Sequence, residues 1–268
     1  MRLKITHTTT YTYDTPVEYA LQQLRLIPKS GHGQGVISWS SSISGGTKQV
    51  VFDDLFANHT ELVVVDPGAT RIEIVSEGDV EIEDRHGVVG RHTGPAPLWL
   101  FRETTPLTAP GPGLRRLASG IRAAFDELGG VDPMHALSAE IAGTVAYETG
   151  RTDAGTGAEA ALTAGHGVCQ DHAHIMIAAA RLLGYPARYV SGYLMMDGQV
   201  EQEASHAWAE VWTEPLGWIG FDVSNGISPD ARYVRVATGR DYRDAAPIHG
   251  LRHGAGGENL HVALQVQQ

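Results

Sequence analysis

The chain has a single cysteine, and the residues around it give it chemical potential. Cys169 lies in Gly165-His166-Gly167-Val168-Cys169-Gln170-Asp171, a glycine-containing loop that opens directly into a helical pattern. N–H groups at a helix start lack intrahelical acceptors and favour negative charge, the charge of a nucleophilic thiolate. The same donors can hold a developing oxyanion. Taken alone, a free cysteine is more often a small buried hydrophobe.

A thiol nucleophile needs a base, and the base needs a group to orient it. Ser205-His206-Ala207-Trp208-Ala209-Glu210-Val211-Trp212 reads as a strand, and Trp218-Ile219-Gly220-Phe221-Asp222 as its returning partner. With residues 213–217 as the loop, Trp212 pairs with Trp218 and Trp208 with Asp222. His206 and Asp222 are then diagonal neighbours on one face. A shorter loop would set them directly opposite, and a slip of one in the pair sum would part them. Docked against the helix start, this face gives a Cys169, His206, Asp222 set. Cys169 would attack a carbonyl, His206 would shuttle the proton, and Asp222 would fix the imidazole tautomer.

The elements that must position these residues fall into two stretches. The first hundred residues read as short strands near 3–13, 21–27, 36–42, 49–52, 61–65 and 71–75, separated by turns such as Ser44-Gly45-Gly46 and Asp66-Pro67-Gly68. That spacing suggests a β-sandwich or a partly open barrel. Residues 95–112, rich in proline and threonine, mark the expected boundary between an N-terminal β domain, 1–100, and a catalytic domain, 101–268.

Helical patterns follow. Leu114, Leu117, Ile121, Ala124, Phe125 and Leu128 recur at three- and four-residue spacing before Gly129-Gly130. Asp132-Pro133 opens a second helix ending near Gly150, and a third runs from about 168 to 183, closed by Gly184. Strands return at 187–193, 206–213, 217–223 and 233–238, and 260–266 closes the chain. The expected class is α+β, with the cysteine-bearing helix packed on an antiparallel sheet.

Bulk properties narrow the functions. The 268 residues, 42% hydrophobic and 19% charged, suit a folded globular protein of one or two domains. A net charge of −11 argues against nucleic-acid binding, which needs a basic footprint. Acid concentrates between Asp53 and Asp84, read as a solvated face. No apolar run approaches a membrane span, and the N-terminus lacks a signal-peptide core, so the expectation is a cytoplasmic protein without a membrane partner. Edge strands leave room for a homo-oligomer without requiring one.

Several stretches resemble bacterial transglutaminase-like proteins: Gly167-Val168-Cys169-Gln170-Asp171-His172-Ala173-His174, Arg181-Leu182-Leu183-Gly184-Tyr185-Pro186, Ala204-Ser205-His206-Ala207-Trp208 and Gly217-Trp218-Ile219-Gly220-Phe221-Asp222. Gly239-Arg240-Asp241-Tyr242-Arg243-Asp244 and, near the N-terminus, Tyr13-Asp14-Thr15-Pro16-Val17 look similar too. The resemblance implies a papain-like core, with Cys169 as nucleophile, His206 as base and Asp222 as orienting acid. Two departures stand out from the family pattern. His172 replaces a usual aromatic residue, and Val223-Ser224-Asn225 replaces the more typical Pro-Thr-Asn.

Other residues invite roles beside these three. His166, His172 and His174 crowd Cys169, but the spacing suits core or supporting roles better than zinc, and no metal or other cofactor is expected. Tyr193 and Trp208 are candidates to line an acyl groove, with core packing as the commoner fate of strand aromatics. Arg240, Asp241 and Tyr242 form a polar cluster that would bind substrate or make a structural ion pair. The expected activity is cysteine-dependent acyl transfer on peptide or isopeptide amides in peptide or protein substrates, most simply as a peptidase or amidase. The alternatives are acyl transfer to an amine, as by a transglutaminase or peptide ligase, and a non-catalytic peptide-binding module.

Overall fold

The computed structural model describes residues 1–124 and 130–268. Its first half is strand after strand: β1 (Arg2–Tyr13), β2 (Tyr19–Leu24), β3 (Gln34–Ser44), β4 (Gly46–Asp53), β5 (His59–Val65), β6 (Arg71–Ile82) and the short β7 (Val88–Gly90). Alternation drives them. In β1, Leu3, Ile5, His7 and Thr9 are buried while Arg2 and Lys4 are exposed. Residues 95–112 hold two 3-10 turns, Leu98–Arg102 and Pro106–Thr108.

The helices come next: α1 (Pro112–Ala124), α2 (Asp132–Thr144), α3 (Ala158–Ala164) and α4 (Cys169–Leu182), with the two-residue strands β8 (Ala146–Tyr147) and β9 (His166–Gly167) between them. Phe125, Leu128 and Gly129, read from sequence as the end of the first helix and its stop, lie outside the described residues. α2 stops short of Gly150, because Val145 turns to extended backbone and β8 begins. α3 was not expected; seven residues carry too little periodicity to stand out. Its Glu159 accepts hydrogen bonds from the N–H groups of Gly111, Gly113 and Leu114 at 3.1, 2.6 and 2.9 Å, so it caps the start of α1.

Strands close the chain: β10 (Ala187–Leu194), β11 (Glu201–Gln202), β12 (His206–Thr213), β13 (Gly217–Phe221), β14 (Tyr233–Gly239), the short helix α5 (Tyr242–Ala245), β15 (Ile248–His253) and β16 (Glu258–Gln267). Four of them, β10, β12, β13 and β14, form a five-stranded sheet with β7 in the order β14-β10-β12-β13-β7. Two further sheets, β11-β16-β1-β6-β3 and β15-β2-β5-β4, make the sandwich. Leu24, Val63, Val65, Ile72 and Ile74 fill its core.

The fold is thus α+β and mostly antiparallel, as expected. One expectation changes. The final strand pairs with β1, Ile5 opposite Val266 and Tyr11 opposite Leu260, and β15 pairs with β2. Residues 248–267 therefore complete the N-terminal sheets rather than the later one, while β7 joins the later sheet. Alternation identifies a strand but does not name its partner.

The five-stranded sheet is covered on both sides. Leu137, Ile141, Ile175, Ala179, Tyr189, Val211 and Phe221 pack between it and the helices. Tyr193, Val234 and Val236 meet Leu3, Ile5, Val80, Leu264 and Val266 on the other side. All eight residues of β10 are consequently buried. Among the described residues no helix is long and apolar enough to cross a membrane.

Candidate active site

Cys169 is the first residue of α4, and local sequence builds that start. Gly165 ends α3 in the left-handed region at φ 72°, and Val168 enters α4 in extended backbone. Asp171, three residues into the turn, reaches back to accept the Val168 N–H at 2.8 Å and the Thr152 hydroxyl at 2.7 Å. A β-carbon at Gly167 would fall 2.6 Å from that of Asp171, so only glycine admits this cap. The thiol is partly exposed on the wall of a cleft of about 750 Å³.

The hairpin brings the other two residues to the cleft. Trp212 pairs with Trp218 and Ala209 with Phe221, the register read from sequence. Thr213 also pairs with Gly217, so the loop has three residues; the expectation that such a loop would set His206 directly opposite Asp222 fails, because the added pair leaves the pair sum unchanged. His206 and Asp222 remain diagonal neighbours, and His206 Nε2 lies 2.6 Å from Asp222 Oδ2. Cys169 and His206 line the same cleft, close enough for the thiol to act on the imidazole. With Nε2 engaged by the carboxylate, Nδ1 is the ring nitrogen left for the thiol.

Asp222 is 1% exposed, so its charge must be met internally. Its Oδ2 also accepts from Asn225 Nδ2 at 2.6 Å and from the Tyr233 hydroxyl at 2.7 Å. Burial alone would raise its pKa; the bonds from His206, Asn225 and Tyr233 outweigh that and hold it low. For His206, burial opposes the charge. The hydrogen bond to Asp222, the neighbouring Cys169 thiol and the charges on both overcome it, raising the imidazole to about 10. Tyr233 was not singled out in the sequence. It lies on β14, beyond the hairpin, and nothing local to Asp222 points to it.

This arrangement can be compared with known proteins. Residues 3–81 match the bacterial transglutaminase-like N-terminal region, and residues 115–223 match the transglutaminase-like superfamily core. A protein of Mycobacterium leprae of undescribed function is 30% identical over 279 residues, covering 99% of this chain and 98% of that one. The chain belongs to the transglutaminase-like superfamily. A protein-glutamine gamma-glutamyltransferase of Pseudomonas aeruginosa is 32% identical over 98 residues, 32% of this chain and 15% of that protein. In fold, a candidate cysteine protease from Cytophaga hutchinsonii matches 100% of this chain and 91% of that one at a TM-score of 0.79, with 21% identity.

The two departures from this superfamily's pattern prove to be in contact. His172 Nε2 lies 3.0 Å from the Val145 carbonyl, which can only accept, so Nε2 carries the proton. Nδ1 therefore accepts from the Ser224 hydroxyl at 2.8 Å. The pair ties α4 to the turn carrying Asn225, the residue that clasps Asp222. Burial lowers the pKa of His172, more than Val145 and nearby carboxylates raise it, so the ring is neutral. His174, fully buried, is pushed down to about 3, first by burial and then by Arg181, and its Nε2 accepts the Tyr242 N–H at 3.1 Å. Among the described residues no group of three or more His, Cys, Asp or Glu could hold a metal ion.

The proposed groove residues divide. Tyr242 lines the cleft. Tyr193 does not: it is buried against the sandwich, its hydroxyl 3.0 Å from His7 Nδ1 and its ring stacked on Trp39. Trp208 is also buried, stacked beside His206 and edge-on to Tyr233, and supports the imidazole from behind. Arg240 pairs with Asp244 at 2.7 Å, and Asp241 caps α5 through the Arg243 N–H at 2.9 Å. Arg240 and Asp241 are thus engaged within the fold, and neither is among the residues lining the cleft. Sequence reasoning did not single out Tyr147 or Tyr189, which also line the cleft, nor Glu201 and Glu203 on its rim.

Proposed function

We propose that this protein is a cysteine-dependent acyl-transfer enzyme acting on amide bonds of peptides or proteins. One observation carries the reading: a buried carboxylate, Asp222, holds His206 at 2.6 Å in the same cleft that Cys169 lines from the start of α4. In the first half-reaction the Cys169 thiolate adds to the amide carbonyl carbon. The first-turn N–H groups of α4, which have no intrahelical acceptor, receive the oxyanion. His206 then gives its proton to the departing nitrogen, the C–N bond breaks, and an amine leaves a thioester on Cys169. In the second half-reaction His206 takes a proton from water, the hydroxide oxygen adds to the thioester, and a carboxylic acid is released with the thiolate restored. An amine in place of water would yield a new amide. We favour hydrolysis.

The cleft lining includes Glu201 and Glu203 and, among the described residues, no lysine or arginine, which suits a neutral or cationic substrate segment. The test begins with iodoacetamide alkylation followed by intact mass. With one cysteine, the assay reports one site. An unassisted thiol with a pKa of about 8.5 is only about 3% ionised at pH 7. If His206 holds the thiolate, alkylation at pH 7 should slow in His206→Ala, by at most about thirty-fold. Equal rates would sink the catalytic reading and favour a peptide-binding module. Glutamine peptides supplied with and without a primary amine then separate hydrolysis from transfer by product mass.

A further inference from the structure

A second cavity, of about 240 Å³, lies between the sandwich and the face of the five-stranded sheet turned away from α4. It shares no lining residue with the cleft. Its walls bring together Lys29, which follows β2, Arg188 of β10 and Arg235 of β14. Among the described residues no carboxylate is in the lining. The balancing acid is Glu210 of β12, fully buried behind the two arginines, which accepts from Arg188 Nε at 2.7 Å and from Arg235 Nε at 2.6 Å.

That balance is incomplete. Arg188 is 5% exposed, and its planar guanidinium lies over the Trp218 ring at 4.0 Å, yet its buried Nη2 has no hydrogen-bond partner among the described residues. An unmet buried donor on a charged group is costly, more so than a neutral one. Among the described residues the Lys29 ammonium makes no hydrogen bond or ion pair. Of the carboxylates whose charge reaches it, Asp54 is engaged by Arg25 at 2.9 Å and Asp53 is largely exposed. Three cationic side chains against the single carboxylate of Glu210 leave two positive charges at a cavity large enough for a small ligand.

We propose that this cavity binds a phosphate group, either free inorganic phosphate or that of a small phosphate ester. Two residual positive charges match a dianion better than a single carboxylate does. A tetrahedral oxyanion also offers acceptors in several directions at once, to the Arg188 and Arg235 guanidiniums and to Lys29. Guanidinium N–H groups and a lysine point charge are the usual partners of such oxygens. Because Arg188 and Glu210 lie on β10 and β12, occupancy would brace the strand that begins with His206.

Isothermal titration of the full chain in chloride buffer, with inorganic phosphate, glycerol 3-phosphate and acetate as probes, tests this. Wild type should bind phosphate saturably with one site and acetate much more weakly. Lys29→Ala and Lys29→Gln, checked by near-UV circular dichroism to be folded, should weaken phosphate roughly ten-fold, the loss of one charge-assisted contact. Tighter binding of the ester would identify a phosphorylated small molecule as the occupant, and equal binding would identify free phosphate; either sustains the site. Absence of saturable binding at millimolar phosphate and ester overturns it. So does acetate binding as well as phosphate, or phosphate affinity indifferent to both Lys29 variants.

Discussion

Replacing Asp222 by asparagine keeps the side chain's shape and removes its charge. Oδ2 now receives three donors, from His206, Asn225 and Tyr233, at 2.6, 2.6 and 2.7 Å, while Oδ1 receives only the Asn225 N–H at 3.3 Å. An amide will therefore turn its oxygen toward the three donors and sacrifice the longer contact. His206 keeps a hydrogen bond but loses a charged partner. A bond to a charged group contributes about 1.5–3 kcal/mol and a neutral one about 0.5–1.5, so the imidazolium loses about 1–2 kcal/mol of support. At 1.36 kcal/mol per pKa unit, the His206 midpoint should fall by about 0.7 to 1.5 units from its raised position. Imidazole ¹⁵N NMR across a pH titration reads this directly, with the His206 signal assigned by its loss in His206→Gln. A linked stability change has a fixed sign. The raised imidazole stabilises the fold fully below its ordinary value of 6.5, and that contribution is lost as pH rises through about 10. In Asp222→Asn the contribution should be smaller and its loss complete at lower pH. A midpoint that stays put, or rises, would refute the view that the Asp222 charge sustains the imidazolium.

Two further outcomes follow from buried polar groups. Glu210→Gln should cost about 3–5 kcal/mol in urea unfolding at pH 7, because Arg188 and Arg235 lose their shared counter-charge. Burial works against the Glu210 carboxylate, but Arg235 and then Arg188 outweigh it and hold it at about 2, down from 4.5. Its contribution is present above 4.5 and lost as pH falls through about 2, so the gap between variant and wild type should narrow in acid; a gap that widens there contradicts the assignment. His172→Phe and Ser224→Ala, singly and together, should show a coupling of about 0.5–1.5 kcal/mol from the 2.8 Å bond, whereas additivity within about 0.3 kcal/mol would leave that contact without weight.

Much of the site is local in origin, which is why it could be read in sequence. Gly165 and Gly167 before an apolar helical run, with Gly184 and Pro186 after it, fix a helix start at Cys169. Alternation along 206–213 and 217–222 fixes parity, and parity alone places His206 and Asp222 on one face whether the loop has five residues or three. These are short-range constraints of backbone conformation and of a period of two.

What depends on which strands neighbour one another was not legible. Tyr233 reaches Asp222 because the hairpin and β14 both flank the cleft end of the sheet, and His172 meets Ser224 because α4 docks over that turn. Residues 248–267 cross back to β2 and β1, a pairing of partners some 200 and more positions apart in the chain. In a strand buried on both faces, polar and apolar residues do not alternate, so no pattern tells which side an aromatic takes. Tyr193 on β10 shows the consequence: it faces the sandwich, while Tyr189, four residues earlier and before the bulge at Ser191 and Gly192, faces the helices and the cleft. Local chemistry determined which residues could react; the packing of layers decided which neighbours hold them.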